Sequence, residues 1–370
     1  MKKILVFTVT TALVAMLVLS VIPMSADSAD AADEAFDVTY TLKNQTHTVH
    51  FDGPVNKMIV FGYAAALTVM DTDKLDKLYA CDKYADDAYA EKGLTRQAKT
   101  VANLSSSNVD LIKSFIVQAV DDGEFSKDDA IVLTTMSTPA ETIRSYLEGL
   151  GFTHVVFYGS MEEYKDIIQC VKEIEMMLGS TSHLYKNMEY ILEQLTEKLT
   201  DVPKKDALFV WYSPSSGWGY GNKGSLSVSM INAAGGNNLG YTPDSSESII
   251  YNKSGVVQKL EASPDAVIFL DSGYIRSYGG SVKAFVDDVL GGDQGNHVIC
   301  VSEHAWNNYC PESADGVWAM AHVMHPDVIS GDVPVYTEGG SDDNTALYIG
   351  IGVAVAVVAV GALLVLRMKH

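Results

Sequence analysis

Basic residues are scarce in this chain: 26 Lys plus Arg stand against 47 Asp plus Glu, a net charge of −21 over 370 residues. That balance excludes a nucleic-acid partner, because affinity for a phosphate backbone is drawn from Lys and Arg. CxxC, HExxH, a P-loop and a GxSxG elbow are all absent. Disulfide exchange, helix-borne zinc hydrolysis, nucleotide hydrolysis and elbow-type serine catalysis therefore lack their usual carriers. The nine His are scattered, so no metal site is assigned. Only His154 and His304 fall near strand ends, and His322 and His325 read as structural. There are four Cys, which allow three pairings. Cys300 and Cys310 close the shortest loop and form the candidate disulfide, with free buried thiols as the alternative.

The two ends carry what apolar length there is. Lys2 and Lys3 precede an apolar run from Ile4 to Ile22 and then small residues, which predicts a secretory signal peptide over 1–26. Residues 346–366 are uncharged, follow Asp342 and Asp343, and precede Arg367 and Lys369. This pattern predicts a single transmembrane helix with its basic end inside, a tether over 330–345, and a cell-membrane location with the main domain outside. Three sequons, at Asn44, Asn103 and Asn252, permit glycosylation.

Between the ends, residues 35–51 alternate apolar and polar around Asn44-Gln45, the pattern of a β-hairpin. Short apolar runs then alternate with helical periodicity. Lys57–Phe61, Leu75–Cys81, Ala130–Leu133 and Val155–Tyr158 are the first set of strands, with helices at 64–70, 108–116 and 138–147 between them. Residues 82–89 read as a polar, aromatic loop. Residues 161–204 are mostly helical, with Leu184, Met188, Ile191, Leu195 and Leu199 on one stripe and a break at Gly179-Ser180. The alternation restarts at Ala207–Trp211, Ala266–Leu270 and Val298–Val301, with helices at 226–234, 256–261, 281–290 and 313–324. Strands alternating with helices mean parallel α/β sheets. The fold class is α/β: two Rossmann-like lobes, 35–160 with its leading hairpin and 205–329, joined by the long helical segment 161–204, with a ligand cleft between them and a C-terminal transmembrane helix.

The order of motifs resembles the solute-binding proteins of ABC importers for iron–siderophore, haem and cobalamin. KMIVFGYAAALTVM at 57–70 is similar to that family's opening strand and small-residue helix, NVDLI at 108–112 to an Asn-Leu-Glu helix start, and DDAIVL at 128–133 to its Pro-Asp strand. INAAGGNNLG at 231–240, LEASPDAVIFL at 260–270 and WAMAHVMHPDVI at 318–329 resemble the second-lobe turn, strand and closing helix. The resemblance implies a receptor, not an enzyme, that binds a metal chelate as its transported ligand, needs no cofactor, and docks on an ABC permease with its ATPase. Asp110 matches the first-lobe docking acid as a shorter carboxylate. Val257 stands where the second is expected, leaving Glu247 or Glu261 for that role. A surface sensor or adhesion module on the same fold is the alternative reading, and a surface metalloenzyme a third.

In such a fold the loops at strand ends line the cleft. The candidates are Tyr63, Tyr84, Met136, Trp211, Tyr212, Trp218, Tyr220, Tyr274, Arg276, Trp306 and Tyr309, with Asp82 and Ser137 beside them. The stretch Phe209–Gly224, FVWYSPSSGWGYGNKG, holds four of these aromatics in a strand that runs into a Gly-rich loop. Those four are expected to stack on a flat or ring-shaped ligand, and Arg276 to pair a ligand carboxylate or catecholate.

Overall fold

The computed structural model describes residues 34–42, 45–134, 138–158 and 163–337. The predicted signal peptide, the predicted membrane span, Asn44, Met136 and Ser137 lie outside them.

The chain opens with the hairpin β1 (Phe36–Leu42) and β2 (Gln45–Phe51), paired antiparallel with Phe36 opposite Phe51. It continues through β3 (Met58–Phe61), α1 (Tyr63–Asp71), β4 (Leu78–Asp82), α2 (Ala85–Glu91), β5 (Lys99–Val101), α3 (Val109–Asp121), β6 (Ala130–Leu133), α4 (Thr138–Gly149) and β7 (Val155–Phe157). These strands form a parallel sheet ordered β5-β4-β3-β6-β7. Strands β3, β6 and β7 are buried at every residue. Full burial explains why they read as unbroken apolar runs and not as alternating ones. The hairpin packs on the β7 edge: Phe51 stacks on His154 at 4.2 Å and Tyr40 meets Phe157 edge-on at 6.3 Å. His154 also contacts the backbone oxygens of Asp128 and His50, and it precedes its strand, so its role is structural.

Two helices follow, α5 (Tyr164–Leu178) and α6 (Leu184–Leu199). Gly179, left-handed at φ 64°, ends α5. The elbow is then held by carboxylates. Glu175, fully buried, accepts the backbone N–H of Leu184 at 3.1 Å and of Tyr185 at 3.0 Å, capping α6 from the preceding helix. Asp73 of the first lobe accepts Ser180 Oγ at 2.8 Å and Thr181 N–H at 3.2 Å.

The second lobe contains β8 (Lys205–Ser213), β9 (Gly217–Gly221), α7 (Leu226–Ala233), β10 (Gly236–Asn238), β11 (Ile249–Tyr251), α8 (Lys253–Ala262), β12 (Val267–Asp271), α9 (Ser272–Arg276), α10 (Val282–Val289), β13 (Val298–Ser302) and α11 (Ser313–Met324). Its sheet runs β11-β9-β8-β12-β13, with β10 added parallel to the start of β8. Side chains of β8 and β12 alternate between two cores. Phe209 and Phe269 join the large core that runs through the joining helices into the first lobe, whereas Leu208, Val210, Ile268 and Leu270 join a smaller one with Trp218, Tyr220 and Phe285. Helix α5 packs on both α1 and α7, and α11 packs on α6 and α7, so the spine is shared by the lobes. His325 Nε2 lies 3.1 Å from Gly235 O and His322 Nδ1 2.6 Å from Ile329 O, fastening the closing turn.

Two expectations change here. The Phe209–Gly224 stretch is a hairpin, not a strand with a trailing loop: Trp211 lies opposite Gly219 and Tyr212 opposite Trp218. The Cys300–Cys310 bridge is not formed, and all four thiols are free. Cys310 is turned inward to donate to Ala305 O at 3.3 Å, while Cys300 stays on β13 and contacts Val301 O. The two sulfurs sit in different local settings.

Candidate functional site

The carboxyl ends of the parallel strands in both lobes lead into the residues that meet between them. After β3 the chain turns at Gly62, φ 107°, where an added Cβ would lie 2.2 Å from Thr134 Oγ1. That turn places Tyr63 at the start of α1, buried. After β4, Asp82 caps the approach to α2, accepting the Tyr84 N–H at 3.2 Å, and burial pushes its carboxyl up to about 6 despite that bond. Helix α2 then carries Glu91 at its end. From the second lobe come Arg276, closing α9 after β12, and His304, just after β13.

These four side chains converge. Tyr63 donates its hydroxyl to Glu91 Oε2. Arg276 Nη1 lies 2.7 Å from Glu91 Oε1 across the interlobe boundary. His304 Nδ1 lies 3.2 Å from the same oxygen, within ion-pair distance but outside hydrogen-bond alignment. The Tyr63 and His304 rings meet edge-on at 4.5 Å. Burial pushes the Glu91 carboxyl up, but His304, Tyr63 and Arg276 outweigh it and hold it down to about 2, so it is an anion throughout the neutral range. The next residue makes a second crossing with the opposite sign. Lys92 Nζ lies 2.6 Å from Asp71 in its own lobe and bonds Glu312 in the other.

The predicted aromatics divide into two groups. Trp218 is 4% exposed and Tyr220 5%: both fill the smaller core, where Trp218 donates Nε1–H to Asp288 at 2.6 Å. From Trp218 a ladder of rings leads outward, through Tyr274 at 4.6 Å and Tyr212 at 4.8 Å to Tyr278, which is 51% exposed. Tyr212 is thus the half-buried member through which the hairpin reaches the surface. Trp211 points to the opposite sheet face and tilts on Phe209 at 5.1 Å. Trp306 lies against Gly316 of α11, and Tyr309 is half-buried nearby. Tyr84 is exposed on the first-lobe rim. Asp110 is exposed in the first turn of α3, away from this cluster.

Near and just after the carboxyl ends of β8, β12 and β13, several polar atoms are buried without a hydrogen-bond partner: Trp211 Nε1, Ser272 Oγ, Ser302 Oγ and Asn307 Oδ1. Asp271 and Ser302 are register partners at the ends of β12 and β13, so they share a sheet face. Burial raises the Asp271 carboxyl against the pull of His304 and Arg276. Among the described residues no group of three or more His, Cys, Asp or Glu is placed to hold a metal ion. What the arrangement offers is a guanidinium, a phenol and an imidazole on one carboxylate, flanked by rings and by unpaired donors and acceptors.

Sequence reasoning found Tyr63 and Arg276 and missed Glu91 and Tyr278. Glu91 lies just past 82–89, the stretch read as a loop, most of which is the helix that ends on it. Its signal was Ala85, Ala88 and Tyr89 at helical spacing behind Asp86 and Asp87, which form the acidic first turn of α2.

No protein-family model and no curated protein sequence matches this chain. Solved structures do. CeuE of Helicobacter pylori, in a nickel–histidine complex, matches with a TM-score of 0.58 at 14% identity, covering 79% of this chain and 90% of its own. The periplasmic heme-binding protein RhuT of Roseiflexus sp. matches at 0.53 and 12% identity over 74% and 99%. An ABC-type Fe3+-hydroxamate transport system protein of Saccharomonospora viridis matches at 0.53 and 16% identity over 78% and 99%. The fold is that of the periplasmic binding proteins.

The Tyr63–Glu91–Arg276–His304 cluster lies at the carboxyl ends of the strands, between the lobes of this fold, which is where open parallel sheets take ligands. The same fold corrects the single-pass cell-membrane location. Structures sharing the fold are titled periplasmic, and among the described residues no helix is long and apolar enough to cross a membrane.

Proposed function

We propose that this protein is an extracytoplasmic solute-binding protein that closes its lobes on a metal chelate and delivers it to an ABC permease driven by its ATPase. The observation that carries the reading is the meeting of Tyr63 and Glu91 from one lobe with Arg276 and His304 from the other, at the strand ends. A binding protein of this architecture needs polar groups from both lobes at one point, so that ligand contacts are completed only on closure. The neighbours titled for nickel–histidine, heme and Fe3+-hydroxamate support chelates as the ligand class. An iron–siderophore, a haem or a corrinoid would be met by the Tyr212–Tyr278 rings on its flat or apolar face. Its polar edge would be met by Arg276 and by the unpaired donors near β12 and β13. Exposed Asp110 is the residue we assign to the permease.

Titration with hemin, ferric hydroxamates and cobalamin, followed by tryptophan fluorescence and native mass spectrometry, tests the reading. One chelate is expected to bind at one per chain and to shift the emission of Trp211 and Trp306, the two indoles not fully enclosed. Silence across all three classes in both measurements would sink the proposal.

A further inference from the structure

We propose that Glu91 is an internal competitor for the ligand: it occupies Arg276 and His304 while the cleft is empty, and an anionic chelate binds by displacing it. The inference rests on the chelate reading above and narrows it to chelates that present a carboxylate or catecholate edge.

The argument starts from the Arg276 guanidinium. It closes a one-turn helix at a strand end, where an anion would be recognised, yet one of its nitrogens is already engaged by a carboxylate from the opposite lobe at 2.7 Å. The same carboxylate takes the Tyr63 hydroxyl and lies 3.2 Å from His304. Glu91 therefore presents to the second lobe the group that an acidic ligand would present, at the same place and with the same partners. The surroundings permit exchange. The Arg276 side chain is 47% exposed and that of Glu91 23%, so an incoming anion reaches the guanidinium fork without unfolding anything. Such a half-open pair is weak enough to yield. Lys92 keeps its own crossing to Glu312 while Glu91 swings away, so the lobes stay registered during the exchange. A neutral or cationic ligand gains nothing from displacing Glu91, because it cannot replace the lost charge on Arg276. The resident carboxylate thus lowers apparent affinity by the fraction of time it holds the site, and only an anion recovers that cost.

Glu91→Gln keeps the shape and a partner for Tyr63 but removes the competing charge. The first measurement needs no ligand: phenylglyoxal modification located by peptide mass spectrometry, with enclosed Arg144 as internal reference. The adduct at Arg276 is expected to form several-fold faster in the variant. The second compares Kd for hemin and ferric citrate, both anionic, with cationic ferrioxamine B. The anionic chelate that binds is expected to tighten by about tenfold, the value of roughly one charged contact, with ferrioxamine B unchanged. Glu91→Asp, whose shorter arm keeps the charge, should fall between the two and covers the case that Gln disturbs the fold. Unchanged modification of Arg276, weaker anion binding, or equal tightening for every chelate would each overturn the inference. Faster modification with no chelate bound by either protein would leave Glu91 as the mask on Arg276 and remove the chelate reading instead.

Discussion

Lys92 of the first lobe and Glu312 of the second bond each other across the interlobe boundary, and the same ammonium lies 2.6 Å from Asp71. One cation thus serves a group with at least two carboxylates, and Asp315 adds a third within electrostatic reach. The centre of the group is enclosed, with the Lys92 side chain 16% exposed and that of Asp71 12%, while Glu312 is 30% exposed. Removing the cation from such a group strands buried anions, which costs about 3–5 kcal/mol. Lys92→Met is therefore expected to lose about that much stability by urea unfolding at neutral pH. Glu312→Gln removes one of the anions and leaves the cation paired, so its cost is expected below about 1 kcal/mol. An equal loss in both variants would show that the lobes are held elsewhere.

The same group sets an unusual pH dependence. Burial pushes the carboxyls of Asp71 and Asp315 up to about 6, with Glu312 adding to both and Lys92 opposing, and burial also raises Asp82 to about 6. A carboxyl raised on folding binds its proton more tightly in the native state, so its contribution is complete below the unfolded value and is lost as pH rises through about 6. Glu91 and Asp73 oppose this below pH 4. In Glu91 the partners outweigh burial, and in Asp73 the bonds from Lys74, Ser180 and Thr181 do so, leaving both at about 2. Their contribution is present above the unfolded carboxylate range and is lost as pH falls toward 2. Thermal unfolding should give a Tm that rises by a few degrees from pH 7.5 to about 5 and falls below about 4. A Tm that is flat or falling between 7.5 and 5 would contradict these assignments.

Glu175 links the two joining helices by a cap that no local residue supplies. Its oxygens take the N–H groups of Leu184 and Tyr185 from within the buried face of α5. Glu175→Ala takes this acceptor away from two half-buried donors, at an expected cost of about 1–3 kcal/mol. Glu175→Gln keeps one acceptor and should lose less. Urea denaturation separates the two, and a loss confined to fraying of α6 would appear as a lowered m-value instead.

How much of this was legible in the sequence depends on what each residue type was needed for. The β6 and β12 strands and the α6 stripe were readable because burial and periodicity leave a direct pattern in apolar residues. The joining elbow was readable because Gly179 adopts φ 64° there, a conformation glycine alone takes freely. Strand β9 was not, because only Gly217, at φ 78°, serves the turn, while Gly219 and Gly221 serve close approach. A Cβ at Gly219 would lie 2.8 Å from Ile250 O, and one at Gly221 2.6 Å from Ser227 Oγ, so the small residues let β11 and α7 pack against the strand. Glycine spelled loop to the reader and contact to the fold. The Tyr63–Arg276 half of the cleft cluster followed from strand-end position. The Glu91 half depended on the end of α2 reaching Arg276 of the opposite lobe, and interlobe contact has no local spelling.

That misread strand changes what its aromatics are expected to do. Trp218 contacts Tyr212, Tyr274 and Phe285 and bonds Asp288, so it is a keystone of the smaller core. Trp218→Ala should cost about 3–5 kcal/mol by cavity formation and loosen the second lobe as a whole. Tyr212, half-buried between Trp218 and the exposed Tyr278 on the same ladder, can be cut back with far less damage. Tyr212→Ala should stay folded, with stability reduced by about 1–2 kcal/mol, and should weaken capture of a flat chelate, the loss of one ring contact being worth about 1 kcal/mol. Circular dichroism melts beside chelate titrations distinguish the two roles. If Trp218→Ala melts like the parent while Tyr212→Ala does not, the core and the platform have been assigned the wrong way round.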